Sequence, residues 1–173
     1  MRISLVMTVI AADRPGLVDS ISTQVAEHDG NWFESRMSRL GGQFAGILRV
    51  ELPAERQESL IKALGSLDSK GLKVVVHGDE TAPPVVGTLR SLEVVGHDRP
   101  GIVRQISRAL ASHGVNVEEL SSEVVSASMS GELLFKAHAK VRLPESCNPE
   151  ALQHELEQIA ADLIVDLNFA KPE

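Results

Sequence analysis

Hydrophobic residues in this chain follow two periods in turn, and the succession occurs twice. Ser4 to Ala11 is an apolar run rich in β-branched residues and reads as a strand. Pro15 sits where a first helical turn tolerates its missing N–H, and Leu17, Val18, Ile21 and Val25 follow at helical spacing as one buried stripe. Gly30 is placed to end that helix. Trp32 to Leu40 and Phe44 to Leu52 read as strands joined at Gly41-Gly42, a hairpin signal. Glu55 to Leu67, carrying Leu60, Ile61, Leu64 and Leu67, reads as a second helix, and Leu72 to Val76 as a closing strand.

The second half repeats the first. Leu92 to Val103 (LEVVGHDRPGIV) matches Met7 to Val18 (MTVIAADRPGLV) at an offset of 85, which also pairs Ile21 with Ile106, His28 with His113 and Asn31 with Asn116. Beyond Phe44 and Phe135 the offset is 91, so the second copy carries six extra residues, expected around Ser121 to Ser130. Phe135, Ala137, Ala139, Val141 and Leu143 alternate with Lys136, His138, Lys140 and Arg142, a strand with one wet face. Asn148-Pro149 reads as the cap and first turn of a helix carrying Leu152, Leu156, Ile159 and Leu163.

Strand, helix, strand, strand, helix, strand predicts a four-stranded antiparallel sheet with both helices on one face. The fold class is therefore α+β, two ferredoxin-like βαββαβ units in tandem. The polar, proline-containing stretch from Gly78 to Pro84 separates them. The expected organisation is a first domain over 1–80, a linker over 81–87 and a second domain over 88–173. Open sheets with bare edges and a bare face predict a homodimer.

Composition narrows the function. With 43% hydrophobic and 24% charged residues, the 173-residue chain is neither disordered nor a membrane span. Met1 to Ala12 resembles a short secretory leader, but its recurrence in mid-chain reads as a repeated strand, and a cytoplasmic location is expected. The net charge is −7, with 9 Lys and Arg against 11 acids in residues 1–82 and 8 against 13 in residues 83–173. Neither half is basic, so no direct contact with nucleic acid is expected. RNA binding on this topology needs aromatic residues on the middle strands, where Phe44 lies on the buried phase and Phe135 stands alone. Cys147 permits no internal disulfide and, with no motif around it, reads as inert. The six histidines have no metal-ligand spacing, and no nucleotide-binding glycine loop or nucleophile elbow is present, so neither metal nor cofactor nor catalytic residue is expected.

The feature that carries chemistry is the loop Asp13-Arg14-Pro15-Gly16, repeated as Asp98-Arg99-Pro100-Gly101. It ends a strand and opens a helix, where free backbone N–H groups and the helix dipole favour a carboxylate. Glycine lets a ligand approach the backbone with no Cβ in the way. Asn31 and Asn116, just past each helix, offer amide donor and acceptor to a zwitterion. The plainer reading is that Pro-Gly makes a turn and asparagine caps it.

Gly96-His97-Asp98-Arg99-Pro100-Gly101-Ile102-Val103, an amphipathic helix and then His113-Gly114-Val115-Asn116-Val117 resemble an ACT domain; the first copy matches less fully, with Asp29-Gly30-Asn31. ACT domains are small βαββαβ modules that bind amino acids and regulate metabolic enzymes and transcription. Two of them with no catalytic domain resemble the family of glycine cleavage system transcriptional repressors. That resemblance implies a small amino acid, glycine or serine, as effector and a LysR-type activator protein as partner. It implies effector-binding roles for Asp13, Arg14, Pro15, Gly16, Asn31, Asp98, Arg99, Pro100, Gly101 and Asn116. Some ACT domains have asparagine where this chain has Asp13 and Asp98; a carboxylate there accepts from a ligand ammonium but repels a ligand carboxylate.

Two further features are open on sequence alone. Lys136, His138, Lys140 and Arg142 either meet an acidic partner or pair across strands with Glu93, Glu118 or Glu123. Trp32, replaced by Val117 in the second copy, is either an interface anchor or core filling. Alternatives to a sensing repressor are a stand-alone regulatory subunit of an amino-acid or one-carbon enzyme, or an acylphosphatase-like hydrolase using a loop arginine and an asparagine. The hydrolase lacks its glycine-rich phosphate cradle.

Overall fold

Leu5, Met7, Val9 and Ala11 are buried along β1 (Arg2–Ala12), whereas Ile10 between them is 47% exposed, so the strand has one dry face from end to end. The computed structural model describes residues 1–78, 86–128 and 131–171. They form two compact units, 1–83 and 84–173. In the first, β1 is followed by α1 (Leu17–Glu27), β2 (Asn31–Leu40), β3 (Gln43–Pro53), α2 (Gln57–Ser66) and β4 (Leu72–Gly78). The second has β5 (Thr88–His97), α3 (Ile102–Ser112), β6 (Asn116–Ser126), β7 (Leu133–Leu143), α4 (Pro149–Leu163) and β8 (Val165–Ala170). The strand orders are β2-β3-β1-β4 and β6-β7-β5-β8, and every pairing is antiparallel. These are the tandem ferredoxin-like units that the periodicity predicts.

Each unit has its own core. Leu17, Ile21 and Val25 of α1 and Leu60 and Leu64 of α2 pack with Leu48, Val50 and Leu52 of β3. Ile102, Ile106 and Leu110 of α3 and Leu152 and Leu156 of α4 pack with Ala139, Val141 and Leu143 of β7. Val18 and Ile61, assigned to the buried stripes from spacing, are 45% and 37% exposed: each lies one residue along from a core position, about 100° around the helix, and faces solvent. The second helix is shorter than Glu55 to Leu67, because 3-10 turns at Ala54–Arg56 and Leu67–Lys70 flank it.

The helix ends obey local rules, with one substitution of roles. Asn148 caps α4 as expected, its Oδ1 accepting from the N–H groups of Glu150 and Ala151 at 3.0 and 3.1 Å. Gly30 does not end α1. Asp29 takes the left-handed conformation at φ 56°, as Gly114 does at φ 69° after α3. In both copies the following residue, Gly30 or Val115, donates to the carbonyl of Val25 or Leu110 at 2.9 Å. Aspartate is among the few residues that tolerate this conformation.

Gly41 and Gly42, at φ 57° and 78°, close the β2–β3 hairpin as the sequence predicts. The extra residues of the second copy fall toward the end of the stretch Ser121 to Ser130, since β6 continues to Ser126 and β7 begins at Leu133. Met129 and Ser130 of that connection and residues 81–85 of the expected linker lie outside the described residues. In β2 and β6 the register shifts by one, at Phe33 and at Glu118, an equivalent bulge in both sheets.

Leu152 is fully buried, and Leu152→Ala is expected to cost the second unit about 2–5 kcal/mol. Asn148→Ala is expected to cost about 1 kcal/mol through the lost cap. Urea denaturation followed by circular dichroism measures both, and the order of the two losses is the check.

Candidate effector site

The two repeated loops are turned by their last residue. Gly16 and Gly101 have φ 89° and 99°, a region closed to most side chains, and each is the N-terminal cap residue of its helix. Neither α1 nor α3 receives a side-chain cap, in contrast to α4. The first-turn amides of α1 and α3 are therefore unsatisfied by any side-chain cap and carry the positive end of the helix dipole. No Cβ contact would obstruct Gly16 within 4 Å, and only the Gln105 side-chain nitrogen comes within 3.8 Å at Gly101. Space is open at both glycines; backbone conformation is what selects them.

The loops differ in what surrounds them. Asp13 donates its backbone N–H to Gly42 and its carboxylate is held by Arg39 Nε at 2.5 Å. Arg14 donates to the Lys70 carbonyl, which ties the first loop to the turn before β4. Asp98 likewise donates its N–H, to Leu133. At the position equivalent to Arg39 the second copy has Val124, and among the described residues the Asp98 carboxylate has no ion-pair partner. The first turn of α1 also carries Asp19, whereas that of α3 has no acid. Arg99 is half-buried and Pro15 and Pro100 are exposed in the turns. Of the two loops, only the second presents a free carboxylate beside an acid-free helix start.

Asn31 and Asn116 are exposed at the starts of β2 and β6. Asn31 stands opposite Glu51, which in turn stands opposite Ser4, eight residues from the end of β1. Asn116 stands opposite Arg142, which pairs with Leu89, again eight residues from the end of β5. At ~3.3 Å per residue the asparagine and the loop of one unit lie roughly 26 Å apart. The structure brings Asp13, Arg14, Pro15 and Gly16 together, and likewise Asp98, Arg99, Pro100 and Gly101, but does not bring either asparagine to its own loop.

The cationic strand face pairs across strands. Arg142 makes a bidentate pair with Glu118, whose carboxylate holds the guanidinium charge and raises its pKa. Lys140 reaches Glu119 at 3.0 Å, a partner that the sequence did not single out because the bulge at Glu118 displaces the register. His138 meets Ser91 Oγ at 3.0 Å, and Lys136 stands opposite Glu123. Trp32 packs against the first core, with its Nε1 donating to Ser35 at 3.2 Å. His28 and His113 close helix ends, His28 against the Gln24 carbonyl at 2.7 Å and His113 against Glu155 at 2.8 Å. Among the described residues no cluster of His, Cys, Asp and Glu is arranged to hold a metal, and no helix is long and apolar enough to cross a membrane.

Known proteins share this architecture. Residues 4–77 and 90–138 each match a family model described as an ACT domain. The glycine cleavage system transcriptional repressor of Escherichia coli (strain K12) is 25% identical over 168 residues, 95% of this chain and 85% of that protein. A crystal structure of an unknown protein from Galdieria sulphuraria is 28% identical, covers 100% of both chains and superposes with a TM-score of 0.83. A solved candidate glycine cleavage system transcriptional repressor, 20% identical over 99% of each chain with a TM-score of 0.69, shares the fold.

Two outcomes test the local environments of single side chains. Burial raises the pKa of Cys147, so the reactive thiolate is scarcer at neutral pH than in free cysteine. Iodoacetamide is expected to alkylate it slowly at pH 7.5, with a rate still rising past the midpoint of an ordinary thiol. Arg39 and Asp13 side chains are 68% and 32% exposed, and Arg39→Ala is expected to cost less than about 1 kcal/mol in urea denaturation.

Proposed function

The chain belongs to the ACT-domain family, with two such domains in tandem, and on that premise we propose that it is an amino-acid-sensing regulator that works through a protein partner. The observation that carries this reading is the pair of uncapped helix starts behind left-handed glycines, of which the second lies beside the unpaired Asp98. An α-amino acid has the complementary charges. Its carboxylate takes the first-turn amides of α3, and its ammonium takes Asp98. Small effectors fit best, glycine first and serine second. The second loop is favoured over the first, whose Asp13 is engaged by Arg39. Since Asn116 and Asn31 lie at the far ends of their own sheets, the asparagine that completes the site comes from a neighbouring unit, and the chain forms a homodimer.

The likeness to the Escherichia coli glycine cleavage system transcriptional repressor supports repression of that system as the output. With 17 Lys and Arg against 24 Asp and Glu, the net charge of the chain disfavours holding a duplex, and repression on this reading runs through a DNA-binding protein of the LysR type. The protein acts in the cytoplasm and performs no catalysis of its own.

Calorimetric titration with glycine and serine tests the effector reading. Wild type is expected to bind, Asn116→Ala to bind more weakly by about 1–3 kcal/mol, and a bulky residue at Gly101 to abolish binding, with circular dichroism confirming that both variants fold. Undiminished binding by both folded variants places the site elsewhere, and no binding by wild type removes amino-acid sensing. Light scattering checks the dimer, and a mobility shift on operator DNA by the protein alone at physiological salt contradicts the indirect route.

A further inference from the structure

The faces of the two sheets that turn away from the helices are built differently. On the first, Arg36, Ile47, Thr8 and Val75 stand in one row straight across β2, β3, β1 and β4. The flanking rows add Ala45, Ile10 and Lys73 on one side and Arg49, Val6 and His77 on the other. Ile47, Ile10 and Val75 are 54%, 47% and 41% exposed, although they neighbour one another across three strands. The equivalent row of the second sheet is Ser121, His138, Glu93 and Asn168, polar from edge to edge. There the polar groups meet one another: His138 reaches Ser91 Oγ at 3.0 Å, and Asn168 Nδ2 donates to Glu93 at 3.5 Å. The same backbone register thus carries an apolar centre in one copy and a solvated polar face in the other.

A contiguous exposed apolar patch marks a surface that another molecule covers, and its rim tells which kind. Arg36, Arg49 and Lys73 border the patch, against Glu34 in the same rows and Glu51 one row further along β3. Arg36 pairs with Glu34 at 3.4 Å. Arg49 donates to Ser4 Oγ at 2.8 Å, with its guanidinium 5.1 Å from the centroid of the exposed Phe33 ring. The face is therefore net positive on a chain whose net charge is −7. Two copies paired through it would set the three cations of one against the same three of the other, which disfavours a second copy as the occupant. Lipid surfaces and nucleic acids draw on denser basic clusters, roughly 4–8 Lys and Arg. An apolar centre bordered by arginines is the composition of a protein–protein interface.

We propose that the outer sheet face of the first unit docks a protein partner whose own surface is acidic around an apolar centre. The inference rests on the partner-mediated reading above and gives that partner its place on the chain. Ile47, Ile10 and Val75 form the middle of the contact, and Arg36, Arg49 and Lys73 meet the partner's carboxylates. The favoured effector loop belongs to the second unit, so partner docking and effector binding fall on different repeats.

A photo-crosslinking amino acid in place of Ile47, carried by the full chain in the cells that make it, is expected to form an adduct with an acidic protein. The same group in place of His138, on the second sheet, is expected to form none. The adducted protein, identified by mass spectrometry and purified, is expected to bind wild type with an affinity that falls as salt rises. It is expected to bind Ile47→Glu at least ~10-fold more weakly and to associate more slowly with Lys73→Glu, with circular dichroism confirming that both variants fold. No adduct at position 47, equal adducts at 47 and 138, or an adduct with a second copy, a lipid or a nucleic acid overturns the proposal. So does a purified partner that binds both folded variants as tightly as wild type. An adduct with a protein that does not bind DNA, with the variants weakened as expected, leaves this surface standing and removes the LysR-type partner. A LysR-type activator that binds wild type and both variants alike does the reverse.

Discussion

Everything in this molecule depends on burying one face of a twisted four-stranded sheet while its backbone remains hydrogen-bonded from edge to edge. A strand shows alternate faces, so the helices must come from the two connections that lie on the same side, and the βαββαβ order does this twice. Leu5, Met7, Val9 and Ala11 on β1 and Leu48, Val50 and Leu52 on β3 form the dry face in the first unit. Once that face is fixed, the ends of the central strands are fixed too, and the turn from β1 into α1 must double back sharply over them. Gly16 and Gly101 are the residues that permit the reversal, and the exposed amides of the helix start are its by-product. The open helix start is thus a consequence of this sharp corner of the fold.

Duplication has let the two copies diverge where divergence costs little. The cores keep the same backbone register, yet one copy spends Arg39 on closing its loop carboxylate while the other has Val124 at that place. One copy has Trp32, Ser35 and Leu48 under its helix, and the other has Val117, Leu120 and Ala139 at the same register positions. Neither change alters topology, since neither touches a ladder hydrogen bond.

The architecture was legible because its signals are periodic or local. Alternation in Phe135 to Leu143, helical spacing in Leu152, Leu156 and Leu163, and the Asn148 cap each depend on neighbours within a few residues. The site was legible as a motif because it recurs. What sequence reasoning missed is set by contacts across long separations. The Arg39–Asp13 pair spans 26 residues and forms only because the hairpin turn brings Arg39 beside the end of β1. The Lys140–Glu119 pair depends on a bulge that shifts β6 by one residue. The exchange of Gly30 for Asp29 at the end of α1 was hidden because a glycine stood next to the residue that adopts the left-handed conformation. Trp32 against Val117 was visible as a difference; that Leu48 against Ala139 and Ser35 against Leu120 lie beside it required the register.

The strand order has a consequence for how the chain is made. β1 is central, flanked by β3 and β4, yet it is the first strand of its unit to leave the ribosome. One of its edges stays unpaired until β3 arrives some thirty to forty residues later, and the other is bare until Leu72–Gly78 emerges. At synthesis rates of about 5–20 residues per second, that exposure lasts seconds, far longer than hairpin or helix formation takes. β4, and likewise β8, therefore acts as the latch of its unit: the last strand translated is the one that seals the oldest, and a ribosome that pauses just short of it holds a sheet with its central strand open on one side.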